Sequence, residues 1–180
     1  PLRYCFSHNY RVSLSVAKTR KAVICIPTYN ERDGIQAIVP EIFSITKNIK
    51  NWDVHILVAD DTSPDKTYEV VKKMQKTFPK LHLLLNKEKV GLGGAYLKAF
   101  THAIDNLEAD YVFEMDGDGQ HPTDIIPNFL MEADNGADFI IGSRYISGGE
   151  NRGVLHVIHA RDHAFQWSEP CVAQKRPQSR

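Results

Sequence analysis

The sequence predicts an α/β domain with a mostly parallel sheet and helices on both of its faces. Two observations predict it. Five short apolar runs alternate with longer stretches of helical period, the order of strand–helix–strand units. Four of the five runs also end in polar residues, as strands do when their carboxyl ends carry ligand loops.

The elements follow in order. Residues 22–26 (AVICI) read as a short buried strand closed by Pro27. Over residues 34–50, Ile35, Ile38, Val39, Ile42, Ile45 and Ile49 recur close to the helical period. Residues 54–59 (VHILVA) are β-branched and apolar and end at Asp60-Asp61. Ser63-Pro64 has the form of a helix cap followed by a first-turn proline, and the helix should run to Thr77 and stop before Pro79. A third strand is expected over residues 81–85 (LHLLL). The helix expected over 94–107 carries Leu97, Phe100, Ala103, Ile104 and Leu107 on one stripe. Residues 111–115 (YVFEM) form the fourth strand, broken by Asp116-Gly117-Asp118-Gly119, and a helix over 123–132 and a strand over 138–141 complete the set. Past Gly149 the pattern weakens. Residues 154–158 suit a strand or a helical turn, and residues 168–180 are polar and expected to fray.

Composition narrows the function. The 180 residues suit one domain that needs no disulfide or metal staple, and 42% hydrophobic with 24% charged residues is ordinary globular composition. Lys and Arg number 22 and Asp and Glu 22, a neutral balance that argues against bulk nucleic-acid binding. Cys5, Cys25 and Cys171 make neither a disulfide framework nor a zinc signature, which points to a reducing compartment. No apolar run approaches the roughly 20 residues of a membrane span. Residues 1–20 lack the apolar core of a signal peptide, and a chain that does not begin with Met reads as trimmed or as a fragment.

In a parallel sheet the strand ends share one edge. Residues 27–31, 60–65, 116–122 and 142–145 therefore converge there. Asp116 and Asp118, one residue apart at a glycine-rich turn, can face one hard cation, with Gln120 adding a neutral oxygen. Mg²⁺ and Mn²⁺ prefer a few carboxylates completed by phosphate oxygens. Gly117 and Gly119 would let backbone approach a ligand closely. The same residues also suit an acidic turn. An EF-hand fails, since Pro127 or Phe129 stands where its acid belongs. Asp60 and Asp61 can bind a base or ribose, the role favoured for them in company with the other strand ends, or can form a capping cluster, the role favoured for Asp65. Residues 91–94 (GLGG) open a helix but are no dinucleotide fingerprint, because Tyr96 takes the third glycine's place; they suit a phosphate or tight packing. Arg144 can clamp phosphate oxygens or lie free on the surface. His156, His159 and His163 have the spacing of one helical face but no carboxylate partner. No nucleophile elbow appears.

Together these residues resemble family 2 glycosyltransferases of the GT-A fold, and among them the dolichol-phosphate (polyprenol-phosphate) mannosyltransferases. The matching stretches are IPTYNE (26–31), VADDTSPDKT (58–67), KVGLGGAYLKAF (89–100), EMDGDGQHP (114–122) and IGSRYISGG (141–149), in the family's order. The family usually has Gly where Lys66 stands and often Ala where Gly117 stands. The chain then divides into a tail over 1–20, a nucleotide-sugar-binding domain over 21–150 and a divergent, poorly ordered segment over 151–180.

The resemblance implies a GDP-mannose donor, Mg²⁺ or Mn²⁺, and a polyprenyl or dolichyl phosphate acceptor. By position, Pro27, Tyr29, Glu31, Val58 and Asp60 or Asp61 would hold the guanosine. Asp116, Gly117 and Asp118 would hold ribose, metal and diphosphate, with Asp118 and Gln120 leading the metal ligands. Arg144 would sit by the phosphates of donor or acceptor, and Asp118 and Arg144 would carry catalysis. It also implies a cytoplasmic chain, with peripheral contact at a membrane's cytoplasmic face and a partner subunit both left open. Family members continue past the Gly-Gly with a basic helix and a Ser-Arg-Gly-Ala-Asn-like stretch; here only Arg152 stands in for the first basic residue. Two alternatives stay open: a different donor such as UDP-glucose or UDP-GlcNAc, and a module that binds a nucleotide sugar without turning it over.

Overall fold

The computed structural model describes residues 19–142 and the backbone of residues 156–159. Strand β1, Arg20–Thr28, is the axis of the sheet, buried from Ala22 onward as a strand covered on both faces must be. It runs through Pro27, which was expected to close it. The Cys25 carbonyl accepts the Met115 N–H and the Thr28 carbonyl accepts the Asp61 N–H. Odd-numbered residues at this end therefore face the fourth strand. Pro27 lacks its donor on the side where that strand has already turned away.

Helix α1 (Arg32–Thr46) follows, then β2 (Trp52–Asp60), α2 (Thr67–Met74), β3 (Leu81–Leu85) and α3 (Gly91–Asp105). Next come β4 (Tyr111–Glu114), a 3-10 turn (Thr123–Ile125), α4 (Ile126–Asp134), β5 (Phe139–Ile141) and β6 (His156–His159). The strand order is β3-β2-β1-β4-β6-β5. β1 pairs in parallel with β2 and β4, and β2 with β3, whereas β6 is antiparallel to both β4 and β5. The sheet is mostly parallel, as expected, with one reversed strand ahead of β5. Because β6 reverses against both neighbours, β5 points the same way as β4 and its carboxyl end stays on the common edge. His156 and His159 lie on a strand, so the helical face suggested by their spacing does not form. His163 lies outside the described residues.

Helices α1, α2 and α4 cover one face of the sheet, over Ile24, Ile26, Ile56, Val58 and Phe113. Among the described residues α3 covers the other, where Ala99 and Ala103 let it lie close on Val23, Cys25 and Leu57. This small-residue contact explains a miss. Leu97 was expected on the buried stripe but is 65% exposed, because α3 turns Ala95, Tyr96, Ala99 and Ala103 inward.

Helix α2 also differs from expectation, since it does not start behind a Ser63-Pro64 cap. Residues 63–66 form a turn closed by the Lys66 N–H to the Ser63 carbonyl at 3.0 Å. Asp65 does the capping: its Oδ1 accepts the Thr67 N–H at 2.9 Å and the Thr67 hydroxyl at 2.6 Å. Lys66 between them has φ 63°, left-handed backbone that favours glycine. The helix gives way after Met74 to tight turns ending at Phe78.

Register positions the site. β1 and β2 end level, with Thr28 beside Asp60, whereas β4 ends at Glu114 opposite Cys25. The loop after β4 therefore starts alongside the last residues of β1. That offset brings Gly117 against Thr28 and Glu31.

Candidate active site at the carboxyl edge of the sheet

The loops after β1 and β2 are tied into one unit by short polar side chains. Asp60, 0% exposed, is the knot. Its Oδ1 accepts the Ser63 N–H at 2.8 Å, and its Oδ2 accepts the hydroxyls of Thr28 at 2.9 Å and Ser63 at 2.6 Å. Ser63 Oγ accepts the Asn30 N–H at 3.0 Å, and Asp65 Oδ2 accepts the Arg32 N–H at 3.2 Å. Asp61 fastens the next loop, its carboxylate accepting from the Asn86 amide at 2.7 Å and the Val90 N–H at 3.1 Å.

Three residues expected to touch the nucleoside are buried. Val58 is sealed in the core between sheet and helices. Asp60 has no exposed oxygen and serves to shape the loops. Asp61 is also buried and engaged on both oxygens. Tyr29 is exposed, with Lys89 Nζ over its ring at 3.6 Å from the centroid.

The turn after β4 presents the acids. Asp116, its side chain 42% exposed, accepts the Tyr96 hydroxyl on Oδ1 at 2.9 Å. Its own N–H donates to His121 Nδ1 at 2.9 Å, and His121 Nε2 faces Asp116 Oδ2 at 3.5 Å. Burial first, then the Asp116 charge, pushes the Tyr96 phenol far above its ordinary range, so its O–H remains a donor. Asp118 is exposed, and its Oδ1 accepts the Gln120 N–H at 2.9 Å. The Gln120 side chain faces solvent.

Two glycines bring α1 and this turn together. A Cβ on Gly34 would lie 2.2 Å from the Gly117 carbonyl oxygen, and one on Gly117 would lie 2.0 Å from Glu31 Oε2. Glu31 is wedged into this contact with Oε2 buried and without a hydrogen-bond partner. Burial, then the charges of Asp118, Asp116, Asp60 and Asp65, pushes its carboxyl up to about 7. Glu31, Asp118, Gly117 and Asp65 line an open cleft of about 570 Å³.

A divalent cation fits this donor set. Glu31, Asp116 and Asp118 place three hard-oxygen acids around Gly117. Among the described residues no Lys or Arg forms an ion pair with any of them. Burial first, and then the charges of Asp118 and Asp116, raise Glu31, and a bound cation would offset both that crowding and the orphaned oxygen. Among the described residues no three His, Cys, Asp or Glu side chains are grouped to hold a metal unaided. A small cation would then take one or two carboxylates and complete its shell with ligand oxygens and water.

The structure brings Glu31, Asp116, Gly117, Asp118 and Gln120 to one edge, as expected. Arg144 lies outside the described residues. Sequence reasoning missed Gly34 and Tyr96, and gave no role to Thr28, Ser63 and His121, which lie within the stretches expected to converge. Tyr96 had a visible signal, a phenol in the first turns of a helix that opens toward the site. Gly34 had none, because nothing in a lone glycine tells which backbone it will touch.

The chain is similar to known proteins in sequence and in fold. The model of the glycosyl transferase family 2 matches residues 23–178, which includes most of the segment expected to diverge. The dolichol-phosphate mannosyltransferase of Pyrococcus furiosus is 37% identical over 131 residues, 72% of this chain and 35% of that protein. The polyprenol monophosphomannose synthase of Mycolicibacterium smegmatis is 37% identical over 139 residues, 77% of this chain and 50% of that protein. The undecaprenyl-phosphate mannosyltransferase of Micrococcus luteus is 36% identical over 130 residues, 72% of this chain and 51% of that protein. The chain thus spans between 35% and 51% of the length of these relatives. Among solved structures, the mannosyltransferase PcManGT from Pyrobaculum calidifontis, in complex with GDP-Man and Mn²⁺, has a TM-score of 0.59 at 22% identity. That likeness covers 79% of this chain and 45% of that one. The 1–349 piece of S. aureus TarS has a TM-score of 0.54 at 21% identity, over 66% of this chain and 34% of that one. These likenesses show the fold, which is GT-A.

Proposed function

We propose that this chain, which belongs to glycosyl transferase family 2, transfers mannose from GDP-mannose to a polyprenyl or dolichyl phosphate with Mg²⁺ or Mn²⁺. The observation that carries the reading is the acid cluster around Gly117, where Glu31 is pushed up to about 7 beside Asp116 and Asp118. Negative charge left uncompensated at a sheet's carboxyl edge suits a cation that arrives with a diphosphate. The names of the three relatives support the sugar and the lipid phosphate. The GDP-Man and Mn²⁺ held by a structure of the same fold support the donor and the metal.

In this reading Asp116 and Asp118 hold the cation, and Gln120 adds a neutral oxygen. When bound, the cation supplies positive charge against the departing diphosphate. Tyr29 and the edge of the β1–α1 loop take the nucleoside, and Glu31 accepts hydrogen bonds from donor hydroxyls. Asp60 keeps the two loops in register beneath the donor. Arg144 is assigned to the phosphates. The acceptor is a phosphate monoester whose second pKa is about 6, so it is largely dianionic at neutral pH. One of its oxygens attacks the sugar carbon as the bond to GDP breaks, and the configuration inverts. The chain need supply no general base.

No helix among the described residues is long and apolar enough to cross a membrane. We place the chain on the cytoplasmic face, in peripheral contact with the membrane that carries the acceptor.

The test is incubation with radiolabelled GDP-mannose, Mn²⁺ and a short-chain polyprenyl phosphate, with label counted in the lipid phase. Transfer by the wild type, lost in a folded Asp118→Ala variant, is the expected result. Nucleotide binding without transfer would make the chain a binding module. Transfer from UDP-glucose or UDP-GlcNAc alone would replace the donor.

A further inference from the structure

We propose that Tyr96 and His121 are positioning residues that hold the Asp116 carboxylate in place for a metal-bound diphosphate. The inference rests on the reading of the site given above, and assigns a task to two residues which that reading leaves idle.

The geometry begins with Asp116 itself. It stands one residue past Met115, whose N–H still bonds to Cys25 and is the last rung of the sheet. Beyond that rung the chain has no ladder to fix it, and a half-exposed Asp on a glycine-rich turn has free χ1 and χ2 rotation. The structure removes that freedom from two directions. Tyr96, 3% exposed, is anchored by the burial of its ring against the sheet, with Phe100 at 5.7 Å between centroids. Its hydroxyl reaches Asp116 Oδ1 at 2.9 Å. His121, 9% exposed, comes from the far side of the same turn and accepts the Asp116 N–H at Nδ1. Accepting there leaves the proton of the neutral ring on Nε2, which faces Asp116 Oδ2 at 3.5 Å. Backbone and both carboxylate oxygens of one residue are thus each addressed by a rigid, buried ring.

Position 96 also sets the Gly91–Gly94 helix opening apart from that of a dinucleotide fold. In a dinucleotide fold the residue at position 96 is glycine, so that helix and strand pack closely. Here a tyrosine fills that place and spans the gap from α3 to the turn after β4. A carboxylate accepts up to about four hydrogen bonds, so the Tyr96 hydroxyl on Oδ1, with His121 holding the backbone N–H and facing Oδ2, orients Asp116 and leaves lone pairs on both oxygens for a ligand. Held this way, the ligand meets an acid that needs no reorganisation on binding.

The test is calorimetric titration of GDP into the full chain, with Mn²⁺ and with EDTA, for wild type, Tyr96→Phe, His121→Ala and His121→Asn. Thermal unfolding accompanies each titration. In the wild type Mn²⁺ should strengthen GDP binding. Tyr96→Phe and His121→Ala should each weaken the Mn²⁺-dependent affinity by about tenfold, the scale of one hydrogen bond to a charged group. Their affinities in EDTA should stay within about twofold, because a positioning role acts through the metal ligand alone. His121→Asn keeps an acceptor for the Asp116 N–H and should recover most of the loss. If Tyr96→Phe and His121→Ala bind GDP with Mn²⁺ as the wild type does, and only their melting temperatures fall, the two rings merely stabilise the fold and the inference is overturned. A wild type without any Mn²⁺ effect on GDP would show instead that the reading of the site has failed, and the inference would fall with it. Should Tyr96→Phe not fold, the two His121 variants decide alone, through the loss in one and its recovery in the other.

Discussion

Replacing Gly34 with alanine should do more harm than any other single methyl group added at this site. Gly34 lies in the first turn of α1, and a Cβ there would sit 2.2 Å from the Gly117 carbonyl oxygen and 3.3 Å from its carbonyl carbon. An ordinary contact is about 3.5 Å, so the backbone of the acidic turn must move by roughly 1 Å. Overpacking of this kind costs about 1–3 kcal/mol. Alanine's better helix propensity returns at most about 1 kcal/mol. Because the clash is with backbone that cannot rotate away, the cost lies in the upper half of that range, and the net loss of about 1–2 kcal/mol should lower the melting temperature by roughly 2–8 °C in a chain of this size. The displaced turn carries Asp116 and Asp118, so Mn²⁺-dependent nucleotide binding should fall further than the stability does. Gly117→Ala is the control. Its Cβ would lie 2.0 Å from Glu31 Oε2, the far end of a flexible side chain that can shift where backbone cannot, and 3.2 Å from Thr28 Cγ2. That substitution should cost well under about 1 kcal/mol, and alanine is the residue the resembled family often has there. Denaturant unfolding of both variants, paired with GDP titration, is the assay. A Gly34→Ala protein as stable as wild type, or a Gly117→Ala protein damaged as badly, would refute the close approach of α1 and the turn.

Three further predictions follow from the same contacts. Glu31 has a folded pKa of about 7, raised from 4.5, so the unfolded chain releases this proton first. Its ionisation therefore erodes stability as pH rises through that window. In EDTA, Glu31→Gln should be more stable than wild type at pH 8, by on the order of 1 kcal/mol at this half-buried site, and equal to it near pH 4; the opposite sign in pH-dependent melting would show that Glu31 has a cationic partner. Asp60→Ala should lose about 2–4 kcal/mol in urea unfolding, because three buried donors lose their acceptor. An unchanged stability would return Asp60 to direct ligand contact. Lys66→Gly should raise the melting temperature by about 1–3 °C by relieving left-handed backbone at φ 63°; the exposed pair it removes with Glu69, at 3.5 Å, holds little.

Much of the fold was legible in the sequence because its strands are buried on both faces. Uninterrupted apolar runs such as 22–26 have few other readings in a chain that also alternates with helical stretches. β3 was placed to the residue, and the convergence of residues 27–31 with 116–122 followed from parallel pairing alone. What escaped was set by tertiary contact. Pro27 could continue β1 only because β4 ends early beside it. Leu97 was misjudged because α3 packs through alanines, a choice that depends on how closely helix and sheet approach. The antiparallel β6 was ambiguous, since four apolar and aromatic residues suit either of two local structures. At the site, carboxylates announced themselves by type. Asp60 and Asp118 are the same residue at two strand ends, however, and only burial reveals that one shapes loops while the other faces solvent. Gly34 and Tyr96 act through partners 83 and 20 positions away, a distance no local pattern encodes.

Thermal unfolding in Mn²⁺, with GDP, with UDP and with neither, tests the central claim most directly. A ligand that binds only the folded chain raises its melting temperature in proportion to the logarithm of its concentration over its Kd. The account predicts a clear rise with GDP that shrinks when Mn²⁺ is chelated, and a smaller rise with UDP. A larger rise with UDP would contradict the mannose donor, and no rise with either nucleotide would contradict the site itself.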